Sequence, residues 1–179
     1  ESYGVTLEEL GKEREDIVVF EADLSKATKS EKFGKAYPDR YFNVGIAEQN
    51  MVGMAAGVSS TGKVPFATTF AVFAAGRAFE VIRNSVCYPK ANVKIAATHA
   101  GITVGPDGGS HQAIEDLALM SSLPNMIVLS PADDIEACKC VKAAAEVNSP
   151  VYLRFGRIPL DDIYTDKYDF QIGRGSELA

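Results

Sequence analysis

The first residue that could do chemistry lies in the segment FNVGIAEQNM, residues 42–51, where a short strand pattern runs directly into a helix pattern. Glu48 falls in the first turn of that helix, with apolar residues on both sides. A glutamate at this place commonly interacts favourably with the helix macrodipole. A carboxyl group at the edge of a sheet can instead act as a general acid or base. The residues alone leave both interpretations of Glu48 open.

Both histidines of the chain lie in a single glycine-rich segment, THAGITVGPDGGSHQ, residues 98–112. His99, Asp107 and His111 in this segment could bind the polar groups of a substrate or transfer protons. The segment has no GxGxxG or Walker pattern, so we do not predict a nucleotide cradle. Its spacing also differs from that of structural zinc sites, and we predict no metal site within this chain.

The elements that must position these residues are short apolar runs alternating with amphipathic stretches. The runs predict six strands, at residues 17–23, 41–44, 64–67, 93–98, 126–129 and 151–154. The amphipathic stretches predict helices at residues 6–14, 47–60, 74–86, 113–121 and 133–147. This alternation is typical of an α/β fold, a three-layer sandwich with a mostly parallel, about six-stranded sheet.

The loops after the strands are where chemistry is expected, because ligands of parallel sheets bind beyond the carboxyl ends of the strands. One edge of the predicted sheet therefore collects two carboxylates, two aromatic rings, the glycine-rich segment and two arginines. In chain order these are Asp23, Glu48, Phe70, Phe73, residues 98–112, Arg154 and Arg157. Each has an ordinary structural explanation, such as core packing for the two phenylalanines, but their shared position favours a functional site.

Composition excludes some classes of partner. The chain has 18 basic and 24 acidic residues and a net charge of -6, which argues against nucleic acid or an anionic membrane as a partner. No apolar run reaches the length of a membrane span, and no signal-peptide pattern is present. The three cysteines have no disulfide spacing and indicate reduced thiols, so we expect a cytoplasmic protein.

The domain organisation follows from where the apolar pattern stops. The alternating pattern occupies residues 1–160, which we predict to be one domain. Residues 161–179 are polar, and we predict a linker or tail that leads toward a missing C-terminal domain.

Five motifs in order along the chain resemble the pyrimidine-binding domain of transketolase. They are FNVGIAEQNMVGMAAG, TTFAVF, THAGITVGPDGGSHQ, LPNMIVLSPAD and PVYLRFGR, and together they cover nearly the whole chain. Within that family, the motifs most resemble the C-terminal subunit of split transketolases. It implies a thiamine diphosphate-dependent fold and the transfer of a two-carbon ketol unit between sugar phosphates, a step of the pentose phosphate pathway.

The resemblance also implies roles for individual residues. In the family, the glutamate that matches Glu48 hydrogen-bonds a ring nitrogen of the cofactor's aminopyrimidine and supplies a proton there. Phe70 and Phe73 match the aromatic residues that flank this ring, and Asp23 matches a carboxylate near the cofactor. The resemblance assigns the substrate to four residues, with donor hydroxyls at His99 and Asp107 and the acceptor sugar and its phosphate at His111 and Arg157. Glu48, His99 and His111 are the expected catalytic residues.

Several positions depart from the family pattern. A tyrosine that often follows the second phenylalanine by three residues is Gly76 here, and the serine that contacts the substrate phosphate is Ala27. Ser25 or Thr28 could replace that serine. Pro106 and Gly109 also differ from the commoner GEDGPTHQ form of the loop.

The family's diphosphate and Mg²⁺ site is absent from this sequence, which contains no GDG motif. The resemblance therefore implies a diphosphate-binding subunit or domain as partner, which would hold most of the contacts to Mg²⁺. We expect the isolated chain to be catalytically inactive and to form a homodimer.

Three other interpretations remain at this stage. Deoxyxylulose phosphate synthase shares the IAEQ motif, but it typically has Asp-Arg where this chain has Thr98-His99. The β-subunits of 2-oxoacid dehydrogenases share the fold and match the glycine-rich loop less well. A non-catalytic assembly module of the same fold is disfavoured by the intact set of Glu48, His99, Asp107 and His111.

Overall fold

The computed structural model describes residues 1–175 and contains one six-stranded sheet in which every neighbouring pair of strands is parallel. The strands are β1 (Ile17–Glu21), β2 (Tyr41–Asn43), β3 (Val64–Phe70), β4 (Lys94–Thr98), β5 (Ile127–Leu129) and β6 (Val151–Arg154). The α-helices are α1 (Ser2–Glu13), α2 (Ser25–Thr28), α3 (Glu31–Ala36), α4 (Glu48–Ser59), α5 (Phe79–Val81), α6 (Asp116–Ser121) and α7 (Asp134–Glu146). The predicted α/β sandwich is confirmed.

The strand order is β2-β1-β3-β4-β6-β5. After β1 the chain places β2 on one side and β3 on the other, so the order reverses between β1 and β3. Crevices at such reversals, beyond the carboxyl ends of the strands, are the usual ligand sites of open α/β sheets. The end of β3, at Phe70, and the end of β4, at Thr98, lie next to each other at this edge.

Two apolar layers cover the sheet, and strand alternation supplies both of them. Val18 and Phe20 of β1 belong to the layer under α4, α6 and the helical segment after β3, whereas Ile17 and Val19 belong to the layer under α1, α3 and α7. Because both faces are covered, strands such as β1 and β4 are buried along their whole length. None of the helices in residues 1–175 is long and apolar enough to cross a membrane.

The helix predicted for residues 74–86 is not a regular α-helix. Two π-helical segments, Phe73–Arg77 and Ile82–Cys87, flank the short helix α5. The amide of Ala78 donates to the carbonyl of Phe73, five residues earlier, at 3.1 Å, as a π turn requires. Such wide turns occur mostly at functional sites, where they change the direction of side chains.

The strand predicted as buried at residues 41–44 is instead an edge strand, β2, and it is partly open to solvent. Phe42 stacks on Phe20 with ring centroids 5.4 Å apart, yet its side chain remains 43% exposed. The apolar composition that suggested burial is therefore only partly covered within this chain.

The segment after β6 packs along α7 as far as it is described. Both backbone amides of Ile163 and Tyr164 donate to Oδ2 of Asp133, at 2.9 and 2.8 Å, while Oδ1 of Asp133 caps α7 at the amide of Glu136. Further along, Phe170 packs against the core layer under α7. The last four residues of the predicted tail lie outside the described residues.

A buried carboxyl group orders the turn that leaves β1. Glu21, at the end of β1, is fully buried, and its Oε2 accepts hydrogen bonds from Ser30 at 2.5 Å and Thr28 at 2.9 Å. Its Oε1 accepts from the backbone amides of Ala22 and Leu24. Burial raises the pKa of Glu21 to about 7, although these hydrogen bonds oppose the shift.

We predict that Glu21→Gln removes a pH dependence of stability. The folded-state pKa of Glu21, about 7, lies above its ordinary value of 4.5, so the unfolded chain ionises first as pH rises. Protonated Glu21 contributes about 3 kcal/mol to the free energy of unfolding relative to its ionised form. This contribution is complete below about pH 4.5 and is lost as the pH rises to 7. Urea unfolding of both proteins between pH 4 and 8 measures this. The variant should gain relative stability with rising pH, and parallel pH profiles would contradict the assignment.

Candidate functional site

Glu48 begins α4 at the carboxyl edge of the sheet, and its side chain is only 1% exposed. A glutamate that served only the helix macrodipole would ordinarily remain in solvent. Its Oε2 instead accepts a hydrogen bond from Nη1 of Arg77 at 2.8 Å. A carboxyl group buried against an arginine requires a precise partner, so the local structure is built around this pair.

Arg77 is a site residue that sequence reasoning missed. It ends the π-helical segment Phe73–Arg77, and its guanidinium carbon lies 4.7 Å from the centroid of the Phe73 ring. The wide turn thus brings the side chains of Phe73 and Arg77 together beside Glu48. Because 46% of the Arg77 side chain remains exposed, the pair lies at the surface of the site. In the sequence nothing separates Arg77 from an ordinary solvated arginine, because its place in the site depends on the π-helical turn of the folded chain.

Four rings continue the site from Arg77 toward β4. The Phe70 and Phe73 rings are parallel within 8° with centroids 6.1 Å apart, and His99 stacks on Phe70 at 4.0 Å. His111 meets Phe73 edge-on at 5.4 Å. Phe70 is the last residue of β3, which runs three residues further than predicted, and it is buried. The structure therefore brings together Glu48, Phe70, Phe73, His99 and His111 through successive contacts.

His99 is held in an unusual conformation. Its φ is 58°, in the left-handed region that non-glycine residues rarely adopt, and such strain is concentrated at functional sites. Its Nδ1 lies 3.0 Å from Oγ1 of Thr98, and the residue is 8% exposed. Burial, followed by the positive charge of Arg157, lowers the pKa of His99 below its ordinary range. The ring is therefore neutral at pH 7 and can donate one hydrogen bond and accept another.

The glycine-rich loop is closed at its base and stabilised from β6. Ala100 and Ala113 form a parallel bridge, and the amide of Gly101 donates to the carbonyl of Ala113 at 2.8 Å. Nη1 of Arg157 donates to the carbonyl of Val104. At Gly105 the φ is 74°, and an added Cβ would lie 3.0 Å from the Arg157 guanidinium, so only glycine fits there. Asp107 is exposed on this loop and lies close enough to raise the pKa of His99 slightly against the larger lowering effects.

A buried polar cluster lies beside the same loop, and of its three members only Arg154 was predicted at this edge of the sheet. Oδ2 of Asp116 accepts from the phenol of Tyr152 and from Nε of Arg154, both at 2.9 Å. The Nε of Arg154, which the sequence placed at this edge of the sheet, is therefore bonded to Asp116. Oδ1 of Asp116 is buried without a hydrogen-bond partner in the described residues.

Asp23 forms its hydrogen bonds with Asn43 and not with the other predicted site residues. It is exposed, has φ 61°, and its amide donates to Oδ1 of Asn43 at 3.2 Å.

Gly76, where the family pattern has a tyrosine, has no atom within 4 Å of the position of an added Cβ, so the wall beside Phe73 is open. Among residues 1–175 no group of three or more His, Cys, Asp or Glu side chains could hold a metal ion.

Comparison with known proteins gives a consistent result. Residues 1–161 match the family model described as "Transketolase, pyrimidine binding domain". The chain is 52% identical over 179 residues to a putative transketolase C-terminal section of Methanocaldococcus jannaschii, covering 99% of this chain and 57% of that protein. It is 34% identical over 178 residues to a 6-deoxy-6-sulfo-D-fructose transketolase subunit of a Clostridium species, covering 99% of this chain and 55% of that subunit.

A solved structure agrees with the sequence relatives. The chain is similar to a split gene transketolase, described as an inactive beta4 tetramer, with a TM-score of 0.87 and 59% identity. The alignment covers 98% of this chain and 56% of that one. The chain thus spans little more than half the length of these relatives.

We predict that Arg77→Met destabilises the fold because it leaves Oε2 of Glu48 buried without its donor. The free energy of unfolding should fall by about 1–3 kcal/mol. Glu48→Gln in the same chain should recover part of the loss, because a neutral amide costs less to bury. Urea unfolding of the two single variants and the double variant measures this coupling.

Arg83→Met is the matched control, because Arg83 is exposed in the following π-helical segment and its side chain donates to its neighbour Asn84. Equal losses in Arg77→Met and Arg83→Met would show that the contact with Glu48 contributes nothing to stability.

Proposed function

Because the chain belongs to the transketolase family, as its pyrimidine-binding domain, we propose that it forms the pyrimidine-binding side of a thiamine diphosphate site. With a diphosphate-binding subunit, the complete enzyme transfers a two-carbon ketol unit between sugar phosphates. The observation that carries this proposal is the carboxyl group of Glu48, buried at the carboxyl edge of the sheet and adjacent, through Arg77, to the Phe73 ring.

The residues present fit the pyrimidine end of this cofactor. An aminopyrimidine needs an apolar ring beside its face and a carboxyl group at a ring nitrogen, and Phe73 and Glu48 offer these groups in one cluster. When bound, thiamine diphosphate supplies a thiazolium carbon that can lose a proton and accept the two-carbon unit. In this proposal Glu48 holds a proton at the pyrimidine nitrogen, while Phe73, supported by Phe70, excludes water from the ring.

The remaining roles are proposed from the resemblance to the family, and the position of these residues around the glycine-rich loop supports them. His99, neutral and held beside Phe70, hydrogen-bonds the donor sugar together with Asp107 near the reacting carbon. His111 contacts the acceptor sugar, and Arg157 binds its phosphate. Asp23 approaches the cofactor from the β1 side, which requires the loop after β1 to face the same ligand. Glu48, His99 and His111 are the catalytic residues in this proposal.

A second subunit is part of the same proposal. The sequence has no GDG motif, and the relatives are a C-terminal section and a subunit, so we infer that another polypeptide holds the diphosphate and Mg²⁺. The exposed apolar residues Phe42, Ile46 and Met54, on β2, α4 and the loop between them, suit burial in a homodimer. The related split transketolase is described as a tetramer, which supports self-association.

The domain boundary and the cellular location are also part of the proposal. Residues 1–160 are proposed as the pyrimidine-binding domain and residues 161–179 as a linker or tail, of which the described part packs along α7. The three free cysteines suit a reducing cytoplasm. Enzymes of the pentose phosphate pathway are the functional context that this proposal implies. The Clostridium relative makes a sulfonated sugar the second candidate substrate.

We predict that this chain alone is inactive and binds thiamine diphosphate only weakly, because it lacks the diphosphate and metal ligands. Calorimetry with cofactor and Mg²⁺ should detect no binding at micromolar concentrations. Adding a diphosphate-binding transketolase subunit should produce tight binding and ketol transfer from a ketose phosphate to an aldose phosphate.

Micromolar binding by the isolated chain would contradict the proposed division of the site. Tight binding in the mixture without ketol transfer would instead favour the non-catalytic module of the same fold.

A further inference from the structure

A cavity of about 500 Å³ extends from His99 along the α1 and α7 side of the sheet. It is lined by Thr98 at the end of β4 and by the following His99, and its other walls come from α1, the end of α2, the start of α7 and the segment after β6. Lys29, at the end of α2, and Arg157, after β6, line it together with His99. The cavity therefore continues the candidate site away from Glu48, in the direction where the far end of a substrate would lie.

Lys29 and Arg157 form no ion pair in the part of the chain that the structure describes. Among residues 1–175 neither side chain makes a salt bridge, whereas the neighbouring Lys32 and Lys35 are paired with Glu1 and Glu31. Two unpaired cations beside one cavity favour an anionic ligand. Both also act on His99, whose pKa is lowered first by burial, then by Arg157 and, to a smaller extent, by Lys29.

The carboxylates that line the same cavity are occupied elsewhere. Glu1 is paired with Lys32, Asp133 accepts three backbone amides, and Asp134 accepts a hydrogen bond from Ser2 at 2.6 Å. None of them forms an ion pair with Lys29 or Arg157. Within the described residues no carboxylate lies at ion-pair distance from Lys29 or Arg157, and the charge of Lys29 is offset only by the more distant Glu1 and Glu31.

The backbone of Lys29 is fixed, although a lysine side chain is flexible by itself. Lys29 has φ 68°, and α1 packs directly on it at Gly4, where an added Cβ would lie 2.4 Å from the Lys29 carbonyl oxygen. Asn or Gly would adopt this conformation more readily than lysine. Backbone strain is concentrated at functional sites, so a lysine in a strained conformation beside a cavity indicates that its charge is functional.

We propose that Lys29 is a second phosphate-binding residue, which acts with Arg157 to bind the phosphate monoester of the sugar substrate. The inference rests on the proposed function and adds to it a residue that selects between anions. Ala27, two residues earlier, has no hydroxyl group to offer this phosphate. The ammonium group of Lys29 replaces that contact and favours a dianion over a neutral sugar end.

The same arrangement discriminates between two anions. A phosphate monoester carries close to two negative charges at pH 7, whereas a sulfonate carries one. Two unpaired cations gain more from the dianion, so this chain is assigned a preference for phosphorylated over sulfonated sugars. Lys29 is the residue responsible for that preference, because Arg157 also stabilises the glycine-rich loop through Val104.

The first test uses the 179-residue chain and inorganic phosphate, without cofactor. Proton NMR can follow the ring signals of its two histidines. Phosphate should shift the His99 signal saturably, and Lys29→Gln should weaken this binding at least tenfold, while Lys29→Arg should retain it. Lys26→Gln is the matched control, since Lys26 lies on the same short helix but is exposed and does not line the cavity.

Equal phosphate affinity in Lys29→Gln and the unchanged chain would overturn the proposal, as would an equal loss in Lys26→Gln. Methanesulfonate, an organic sulfonate with one negative charge, should bind more weakly than phosphate, and the reverse order would contradict the assigned preference.

The second test uses the complex with the diphosphate-binding subunit. Lys29→Gln should raise the KM for a phosphorylated acceptor about tenfold, leave kcat within twofold, and leave the KM for an unphosphorylated aldose unchanged. An equal rise for both acceptors would contradict a phosphate-binding role. If the unchanged complex transfers no ketol unit, the proposed function fails, while the phosphate titration still decides the role of Lys29.

Discussion

The burial of one carboxyl group, that of Glu48, is the constraint on which the site depends. A buried carboxyl group must be hydrogen-bonded, and here the donor comes from Arg77, 29 residues later in the chain. Arg77 reaches Glu48 from the end of a π turn that also carries Phe73. The unusual helix after β3 is thus explained by the need to place an arginine and an aromatic ring beside the same carboxyl group.

Two further contacts extend this arrangement toward the region where the proposed function places the sugar substrate. His99 stacks on Phe70 in a strained backbone conformation, and Arg157 holds the glycine-rich loop at Val104. The cavity beyond His99 then leads to Lys29 and Arg157. A ligand that spans this path would meet a buried carboxyl group at one end and two unpaired cations at the other, as suits a cofactor ring followed by a phosphorylated sugar.

The sequence predicted the sheet and which residues meet at its carboxyl edge, because apolar runs and the positions after strands determine both. Phe70, Phe73, His99 and His111 were placed correctly at one edge, and their contacts confirm that they lie together. Arg77 could not be predicted, since a π turn leaves no distinct periodicity in FAAGRAFEVIRNS. Lys29 was equally hidden, because its φ is imposed by packing on Gly4 from a distant part of the chain. The exposure of β2 reflects its place at the sheet edge, which short apolar runs do not reveal.

The central claim, that Glu48 protonates the cofactor's pyrimidine, is tested most directly by proton exchange at the thiazolium carbon in the complex with the diphosphate-binding subunit. Glu48→Gln retains an oxygen that can accept the hydrogen bond from Arg77, so the folded structure should persist. The account predicts that exchange slows by about a hundredfold or more, the typical size of a lost acid–base contribution. If Glu48 served only the helix macrodipole, thermal unfolding of the same variant would show a loss in the free energy of unfolding of less than about 1 kcal/mol. Exchange at nearly the unchanged rate in Glu48→Gln would contradict the account and assign the proton to another residue.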